Sequence, residues 1–331
     1  MTVRAAAVPS GGVFLDAYLA PIHSWLVDER VTEILVQHPG EIWIESAGSP
    51  GMRRVPVPEL DDVHLQRLAE QIARVGHQAI NRERPLLATT LPDGTRVQVV
   101  APSATRGNWA FAFRRHRLID LPLDAYDRGR LQSGPSTIDL DPMTAPIAFL
   151  RRAVAERKTI LISGGTSTGK TTFLNALLRE VPPGERIILV EDTAEIRLPG
   201  DNGLGLLATK GEMGEALVTT DDLIRAALRL RPDRIVLGEL RGSEVIAFLR
   251  AINTGHPGSF STVHANSPRG AIEQVALLSL QAGIGLARSD VIAFACSIID
   301  IVVQLERANG ERRISAIMPT SVLEIAPCLA C

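Results

Sequence analysis

The stretch from Gly164 to Thr171 constrains this chain more than any other. It keeps the spacing G-x-x-x-x-G-K-[ST], in which Gly169 and Lys170 stand directly before Thr171. An apolar run, residues 159–162, precedes the stretch, and a segment with helical periodicity, residues 172–178, follows it. This order of strand, glycine-rich loop and helix is typical of a phosphate-binding loop.

Each part of the loop suits a nucleoside triphosphate. The glycines let successive backbone N–H groups point at phosphate oxygens, and the helix N-terminus adds positive charge at the same place. Lys170 can reach the β- and γ-phosphates, and the Thr171 hydroxyl can ligate Mg²⁺. Only three of the 35 basic residues are lysines, and one of them is Lys170. A chance glycine loop is the alternative, which the flanking strand and helix disfavour. The predicted nucleotide-binding residues are Gly164, Gly165, Thr166, Ser167, Thr168, Gly169, Lys170, Thr171 and Thr172.

The length and composition of the chain fit an ordinary globular protein with two domains. Its 331 residues are enough for two full cores, and 45% of them are hydrophobic and 22% charged. The formal net charge of −2 gives no overall basic field toward nucleic acid or an anionic membrane. Three cysteines form no disulfide framework and indicate a reducing compartment.

No targeting segment or membrane span is evident in the sequence. The first residues lack the charged and apolar regions of a signal peptide, and the longest apolar segment, residues 291–305, is too short to cross a bilayer. We therefore expect a cytoplasmic protein that touches a membrane only through partners. Cys328 and Cys331 have no second pair with which to bind zinc, and residues 326–331 are expected to be a disordered tail.

A small α+β domain is predicted for residues 13–117, after a disordered segment at residues 1–12. Hydrophobic periodicity and turn residues predict helices at 15–26 and 60–75, a hairpin over 33–45, a second hairpin around 92–94 with 96–100 as its return strand, and a strand at 108–115. Proline and glycine punctuate residues 118–143, which we interpret as an interdomain linker.

Residues 144–325 alternate between helical and apolar strand patterns. The predicted strands are 159–162, 186–190, 234–237 and 259–264, the predicted helices are 147–156, 172–178, 221–230, 243–253, 269–281 and 288–297, a long irregular segment covers 195–218, and a final hairpin turns at 309–310. Alternating strands and helices with unbroken apolar strands favour an α/β fold, with a parallel sheet covered on both faces.

Acidic residues follow two of the predicted strands. Glu191, Asp192 and Glu195 come after one strand, and Glu239 comes after the strand 234–237 in the manner of a Walker B strand. Ligands of α/β sheets lie at the carboxyl ends of strands, where carboxylates can orient a water or hold Mg²⁺ through its water shell. The alternatives are a solvated acidic turn for the first group and a chance acid at a strand end for Glu239.

Two histidines mark the last of these predicted strands: His256 precedes it, and His264 is its final residue. A zinc pair is excluded because no cysteine or further histidine lies near them in the sequence. His264, at the strand end, can contact a γ-phosphate. Without further context, a structural role is the alternative for both.

Three segments together resemble the type II/type IV secretion ATPases. Residues 191–195 are similar to the Asp box of that family, residues 231–241 to its Walker B box, and residues 254–266 to its His box. The resemblance covers essentially the whole chain and is greatest to the hexameric traffic ATPases of type IV secretion. It implies a RecA-like P-loop NTPase domain that follows a smaller N-terminal α+β domain.

The resemblance also implies roles for single residues. Glu195 is the general base or water-positioning carboxylate. Glu239 completes the Walker B site and contacts Mg²⁺ through water, together with the Thr171 hydroxyl. Thr262 and His264 lie near the γ-phosphate or the subunit boundary.

Arginines of the N-terminal domain reach the phosphates in this family. Residues 92–98 and 111–115 match the two segments that carry them, which assigns Arg96 and Arg114, with Arg115 as the alternative register. Without the resemblance, a surface salt bridge would be the preferred interpretation of each. Because the linker varies within the family, the sequence leaves open which subunit's catalytic domain the N-terminal domain packs on.

The function implied is that of a homohexamer that uses ATP and Mg²⁺ to drive machine assembly or the passage of a protein or DNA substrate. It would act at the cytoplasmic face of the inner membrane, with other inner-membrane components of the secretion machine and without stable direct binding of nucleic acid. A pilus-assembly or conjugation ATPase is the alternative within the class. A nucleic-acid helicase or translocase is disfavoured by the net charge and by the lack of a basic, aromatic-interleaved stripe. A nucleotide switch or small-molecule kinase is disfavoured by the lack of an acceptor-binding lid.

Overall fold

Two separate sheets organise the chain, one in each half of the sequence. The computed structural model describes residues 13–47, 49, 51–115, 140–210, 217–308 and 311–323. The predicted tails and most of the predicted linker lie outside the described residues, so the proposed domain boundaries remain predictions. Among the described helices, none is both long enough and apolar enough to cross a membrane.

The N-terminal half forms a six-stranded antiparallel sheet with helices against one face. Its helices are α1 (Val13–Leu19), α2 (His23–Val27) and α3 (Asp62–Val75), and its strands are β1 (Val31–Val36), β2 (Glu41–Ser46), β3 (Met52–Pro56), β4 (Leu86–Thr90), β5 (Arg96–Val100) and β6 (Ala110–Arg114). The strand order is β3-β2-β1-β6-β5-β4. Both predicted hairpins and the predicted helices are confirmed, although a 3₁₀ turn over Ala20–Ile22 divides the first helix at Pro21.

Strand β3 was not predicted from the sequence. It is an edge strand whose side chains are mostly exposed, so it lacks the alternation of apolar and polar residues that marks a half-buried strand.

The second half forms a seven-stranded sheet, and a separate ribbon pairs β10 (Thr209–Lys210) with β11 (Leu217–Val218). The strands of the sheet are β7 (Ile160–Gly164), β8 (Ile187–Glu191), β9 (Gly203–Leu207), β12 (Arg234–Leu237), β13 (Phe260–Val263), β14 (Ile301–Ala308) and β15 (Glu311–Pro319). Their order is β15-β14-β7-β13-β12-β8-β9. All neighbours in the large sheet are parallel except the hairpin of β14 and β15.

Helices cover both faces of this parallel sheet, as predicted. They are α4 (Pro146–Ala155), α5 (Lys170–Leu178), α6 (Thr220–Ala227), α7 (Glu244–Asn253), α8 (Pro268–Gln281), α9 (Arg288–Ile298) and α10 (Thr320–Leu323). One buried cluster joins the sheet to α4 and α5, and another joins its opposite face to α6, α7, α8 and α9. The predicted α/β class is confirmed.

The prediction of an irregular segment over residues 195–218 was wrong for residues 203–207, where β9 extends the sheet. This strand carries Gly203 and Gly205 at alternate positions, and glycine weakens the strand signal of a sequence. Strand β9 forms the edge of the sheet, and Thr105 of the N-terminal domain makes an isolated antiparallel bridge with its residue Leu206.

The two sheets meet through a polar and partly buried interface. Arg186, which is fully buried, donates from Nη1 to Oε1 of Gln37 at 2.5 Å and to Oδ1 of Asn202 at 3.0 Å, and from Nε to the carbonyl of Leu230 at 2.9 Å. Burial lowers the pKa of Arg186 to about 9. The N-terminal domain thus packs on the second domain through hydrogen bonds of a buried guanidinium as well as apolar contacts, and Nη2 of Arg186 has no hydrogen-bond partner among the described residues.

Candidate nucleotide-binding site

The predicted phosphate loop connects the buried end of β7 to the start of α5. Two of its residues have left-handed backbone conformations, Ser167 with a φ of 62° and Gly169 with a φ of 91°. The hydroxyl of Thr168 donates to the carbonyl of Gly165 at 2.9 Å, which closes the turn. A Cβ on Gly164 would collide with that hydroxyl, so glycine is needed at this position for steric reasons. The turn ends where the N-terminus of α5 begins.

Lys170 lies inside this loop and is 9% exposed. Its Nζ donates to the carbonyls of Gly164 at 2.9 Å and Gly165 at 3.1 Å, and it lies 3.3 Å from Nδ1 of His264. Burial lowers the pKa of Lys170, and the nearby carboxylate of Glu239 opposes that shift. The ammonium is therefore positioned beside polar groups and not in an apolar core.

A cavity of about 450 Å³ opens beside the loop; we call it the phosphate-loop cavity. Its walls are the loop itself, the acidic turn after β8 (residues 191–196), the end of β12 and the end of β13. These are the carboxyl ends of parallel strands, as expected for ligand sites in such sheets. The predicted residues that line it are Thr166, Ser167, Lys170, Thr171, Glu195, Glu239, Thr262 and His264. The other predicted residues, Gly164, Gly165, Thr168, Gly169 and Thr172, belong to the same loop and the first turn of α5.

Glu239 connects the charged groups of this cavity. Its Oε1 lies 2.7 Å from Nε2 of His264, and its Oε2 accepts from Arg241 Nε at 2.5 Å. Oε1 is buried, and no described group reaches it with hydrogen-bond geometry. A carboxylate oxygen with unused acceptor capacity, in one cavity with the Thr171 hydroxyl, fits the outer water shell of Mg²⁺. The described residues contain no cluster of three side chains that would bind a metal directly, and Mg²⁺ in phosphate sites ordinarily keeps several waters.

The acidic turn divides its carboxylates between two tasks. Glu191 is buried, and its Oε2 accepts from the backbone N–H groups of Glu195 at 3.1 Å and Ile196 at 3.2 Å. The side chain of Glu195 is exposed and lines the phosphate-loop cavity. Glu191 therefore holds the turn in shape, whereas the Glu195 carboxylate is open to a substrate. The carboxylate of Asp192 is open as well: it lines the same cavity and accepts from the Thr220 hydroxyl at 3.2 Å.

Arg106 of the N-terminal domain also reaches the acidic turn, although no pattern in the sequence predicts it. Its Nη2 donates to Oε1 of Glu191 and, at 2.6 Å, to the carbonyl of Ile196. No local signal identifies Arg106, because it lies in a loop and its partners stand 85 and 90 residues further along the chain.

The structure does not place Arg96, Arg114 or the alternative Arg115 in the phosphate-loop cavity of their own chain. Arg96 and Arg114 face each other on β5 and β6 and line a second cavity of about 290 Å³ together with Arg229, which we call the arginine cavity. Nε of Arg114 lies 3.3 Å from Oε1 of Glu33. Arg115 donates from Nη1 to a backbone carbonyl at 2.9 Å.

Comparison with known proteins agrees with this geometry. The family model described as Type II/IV secretion system protein matches residues 16–310. The type IV secretion system protein PtlH of Bordetella pertussis is 39% identical over 320 residues, which cover 92% of this chain and 94% of that protein. The type IV secretion system protein VirB11 of Bartonella henselae is 33% identical over 325 residues, which cover 90% of this chain and 91% of that protein.

A solved structure resembles the whole fold. It is the VirB11 ATPase from the type IV secretion system of Brucella suis, in complex with sulphate, with a TM-score of 0.87 and 31% identity over 95% of this chain and 96% of that one. The match therefore includes both domains and the strand ends that carry the acidic and histidine residues. The phosphate loop, the three boxes and these comparisons together show that the chain belongs to the type II/IV secretion system protein family.

Proposed function

We propose that this chain is the ATPase of a type IV secretion system and that its hydrolysis of ATP powers assembly of the machine or passage of a substrate. The observation that carries this proposal is the convergence of Lys170, Thr171, Glu195, Glu239 and His264 in the phosphate-loop cavity. The relatives named as type IV secretion proteins support the choice of machine.

Binding of ATP relies on the loop and on Lys170. The backbone N–H groups of the loop and the N-terminus of α5 provide a positive cradle for the β- and γ-phosphates. Lys170 exchanges its two carbonyl contacts for phosphate oxygens, which restores the favourable environment that burial of its charge removes. The Thr171 hydroxyl and, through water, Glu239 would hold Mg²⁺, which would supply positive charge to offset that of the phosphates.

Hydrolysis relies on the acidic turn and on the end of β13. Glu195 orients the attacking water and accepts its proton, because it is the exposed carboxylate that matches the Asp box of the family. His264 lies between Lys170 and Glu239, so its ring can report whether a γ-phosphate occupies the cavity. Thr262 donates to the carbonyl of Gly238 at 2.9 Å and so ties the end of β13 to the end of β12.

The arginines argue for a ring in which neighbouring subunits share each nucleotide site. Arg96 and Arg114 line a cavity that does not include the phosphate loop of their own chain, and Arg114 is 67% exposed. In a homohexamer, this surface would meet the nucleotide of the adjacent subunit. Arg115 is anchored within its own domain by its contact with the carbonyl of Asp28, so Arg114 is the better candidate of the two.

The place of action proposed is the cytoplasmic face of the inner membrane. The chain would bind there peripherally to other components of the secretion machine, and its protein or DNA substrate would be moved by the machine as a whole. The similarity to VirB11 and PtlH supports this assignment. No stable direct contact with nucleic acid is part of the proposal.

The test is release of phosphate from ATP and Mg²⁺ by the purified full chain. Lys170→Ala is expected to abolish turnover and leave the circular dichroism spectrum unchanged, because its ammonium contacts only loop carbonyls and His264 among the described residues. Lys158→Ala is the matched control: Lys158 precedes the opposite end of β7 and lies 3.6 Å from Asp300. Turnover that requires single-stranded DNA or a small-molecule acceptor would instead favour a nucleic-acid motor or a kinase.

A mixing experiment tests the shared site. The double variant Arg96→Ala, Arg114→Ala keeps its phosphate loop, and Lys170→Ala keeps its arginines. If the arginines act across subunits, mixed rings regain part of the turnover that each variant alone lacks. Mixtures that stay inactive although mass measurement shows mixed rings would contradict the shared site.

A further inference from the structure

We propose that Arg106 is a positioning residue for hydrolysis: it fixes the acidic turn that carries Glu195 and thereby makes turnover depend on how the N-terminal domain is seated. This inference rests on the proposed ATPase function. Arg106 does not line the phosphate-loop cavity, so its effect is exerted through the turn and not through contact with substrate.

The contacts form a continuous chain from one domain to the site of the other. The guanidinium of Arg106 donates to Oε1 of Glu191 and to the carbonyl of Ile196. The second oxygen of Glu191 accepts from the N–H groups of Glu195 and Ile196. One guanidinium and one carboxylate thus hold three backbone groups of the turn at the position where the Glu195 side chain departs.

The surroundings of Arg106 favour a single placement of its side chain. Its stem lies on Gly205 of β9, where a Cβ would come within 2.5 Å of Nε and 2.7 Å of Cδ. The neighbouring residue Thr105 is bridged to Leu206 of the same strand. The loop that carries Arg106 is therefore fastened to the edge of the sheet, and the guanidinium passes over a position that has no side chain.

The ion pair of Arg106 with Glu191 also neutralises a buried charge. The side chain of Glu191 is 3% exposed, so Arg106 supplies the countercharge for a carboxylate that water scarcely reaches. Removal of the guanidinium leaves that buried carboxylate without its cationic partner, which is destabilising. Its hydrogen bonds to the turn then change, and the turn relaxes.

Other interdomain ion pairs provide a comparison. Arg231 pairs with Glu45, and Arg54 lies 3.2 Å from Asp201, yet none of these four side chains lines the phosphate-loop cavity. Among the interdomain ion pairs of the described residues, the pair of Arg106 with Glu191 is the one that has a carboxylate in the wall of that cavity. A shift of the N-terminal domain would break this pair and loosen the catalytic turn.

The experiment compares steady-state ATP hydrolysis by full-length variants. Arg106→Gln is expected to lower kcat by about 10- to 100-fold and to leave the KM for ATP within about twofold, because the carboxylate is misplaced while the phosphate loop is intact. Arg106→Lys keeps the charge without the paired donors, so its kcat should lie between those of the wild type and Arg106→Gln. Glu45→Gln breaks a matched interdomain pair and should keep the wild-type kcat.

A second background separates positioning from a general structural effect. In the Glu195→Gln background, measured by single turnover with excess enzyme, adding Arg106→Gln should not lower the rate of hydrolysis further, because the carboxylate that Arg106 positions is already absent. If Arg106→Gln does not fold, Gly205→Ala displaces the arginine stem from the same place and should give the same fall in kcat.

Four results are decisive. A wild-type kcat in Arg106→Gln, an equal loss in Glu45→Gln, or losses that multiply in the double variant would each overturn the positioning role while ATP hydrolysis by the wild type still stands. A wild-type protein that does not hydrolyse ATP would overturn the proposed function, and this inference with it.

Discussion

Glu33 on β1 is a buried carboxyl group whose protonation should set the pH dependence of stability. Burial raises its pKa from 4.5 to about 7, against the attraction of Arg114, which lies 3.3 Å away. Glu45 adds to the rise, and Arg231 and Arg186 oppose it. One oxygen of Glu33, Oε2, is buried without a hydrogen-bond partner among the described residues.

The sign and size of the effect follow from linkage. Between pH 4.5 and about 7 the folded chain binds more protons at Glu33 than the unfolded chain does, so the free energy of unfolding falls as the pH rises through this range. The difference between the two pKa values corresponds to about 3 kcal/mol. The attraction of Arg114 is already contained in that value. The glutamine of Glu33→Gln has nearly the same shape and no charge, so the free energy of unfolding of this variant should not fall in this way as the pH rises.

The assay is urea unfolding of wild type and Glu33→Gln at pH 5 and at pH 8. We expect the two proteins to differ by less than about 1 kcal/mol at pH 5 and the variant to be more stable by roughly 2–3 kcal/mol at pH 8. Glu306→Gln, at an exposed carboxylate paired with Arg313, should follow the wild type at both values. The assignment of a raised pKa to Glu33 would be refuted if Glu33→Gln is no more stable than the wild type at pH 8, or if it is more stable by the same amount at pH 5 and pH 8.

Three further predictions concern the site and the fold. Glu195→Gln should bind ATP normally in a nucleotide titration but lose about 100-fold or more in phosphate release, and normal release would place the base elsewhere. The double variant Arg96→Ala, Arg114→Ala should weaken nucleotide affinity by a few orders of magnitude if each phosphate contact contributes roughly 1.5–3 kcal/mol, and wild-type affinity would remove these arginines from the site. Gly258→Ala should lower the free energy of unfolding by about 2–4 kcal/mol, because its φ is 79° and a Cβ would lie 2.5 Å from a buried guanidinium. Gly40→Ala has the same φ of 79° in open space and should cost only the backbone strain, so equal losses would show that the collision is unimportant.

The phosphate loop and the strand ends could be predicted because their signals are local. The spacing from Gly164 to Thr171 fixes the turn, and apolar runs of four or five residues fix the strands around it. Once those strands are parallel and adjacent, their carboxyl ends meet at one edge. Glu195, Glu239 and His264 therefore come together without any contact having to be foreseen.

The remaining features depend on how distant segments meet. Strand β9 is identified by its pairing with β8, because glycines at alternate positions weaken its strand pattern in the sequence. Arg106 acquires its partners through the seating of one domain on the other. The same seating places Arg96 and Arg114 away from the phosphate loop of their own chain, which the two short matching segments do not encode.

The position of β7 in its sheet also determines when the nucleotide site can form during synthesis. Its two neighbours are β13 and β14, and a hydrogen bond at its start joins residues 141 positions apart, Thr159 and Asp300. A nascent chain that has reached residue 200 therefore has the whole phosphate loop but neither of the strands that flank it. Such long-range parallel pairing is slow to form and leaves strand edges open in the meantime. ATP can stabilise this fold only after nearly all of the chain has been made, and a protein truncated before Ile301 would expose one edge of the strand that carries the loop.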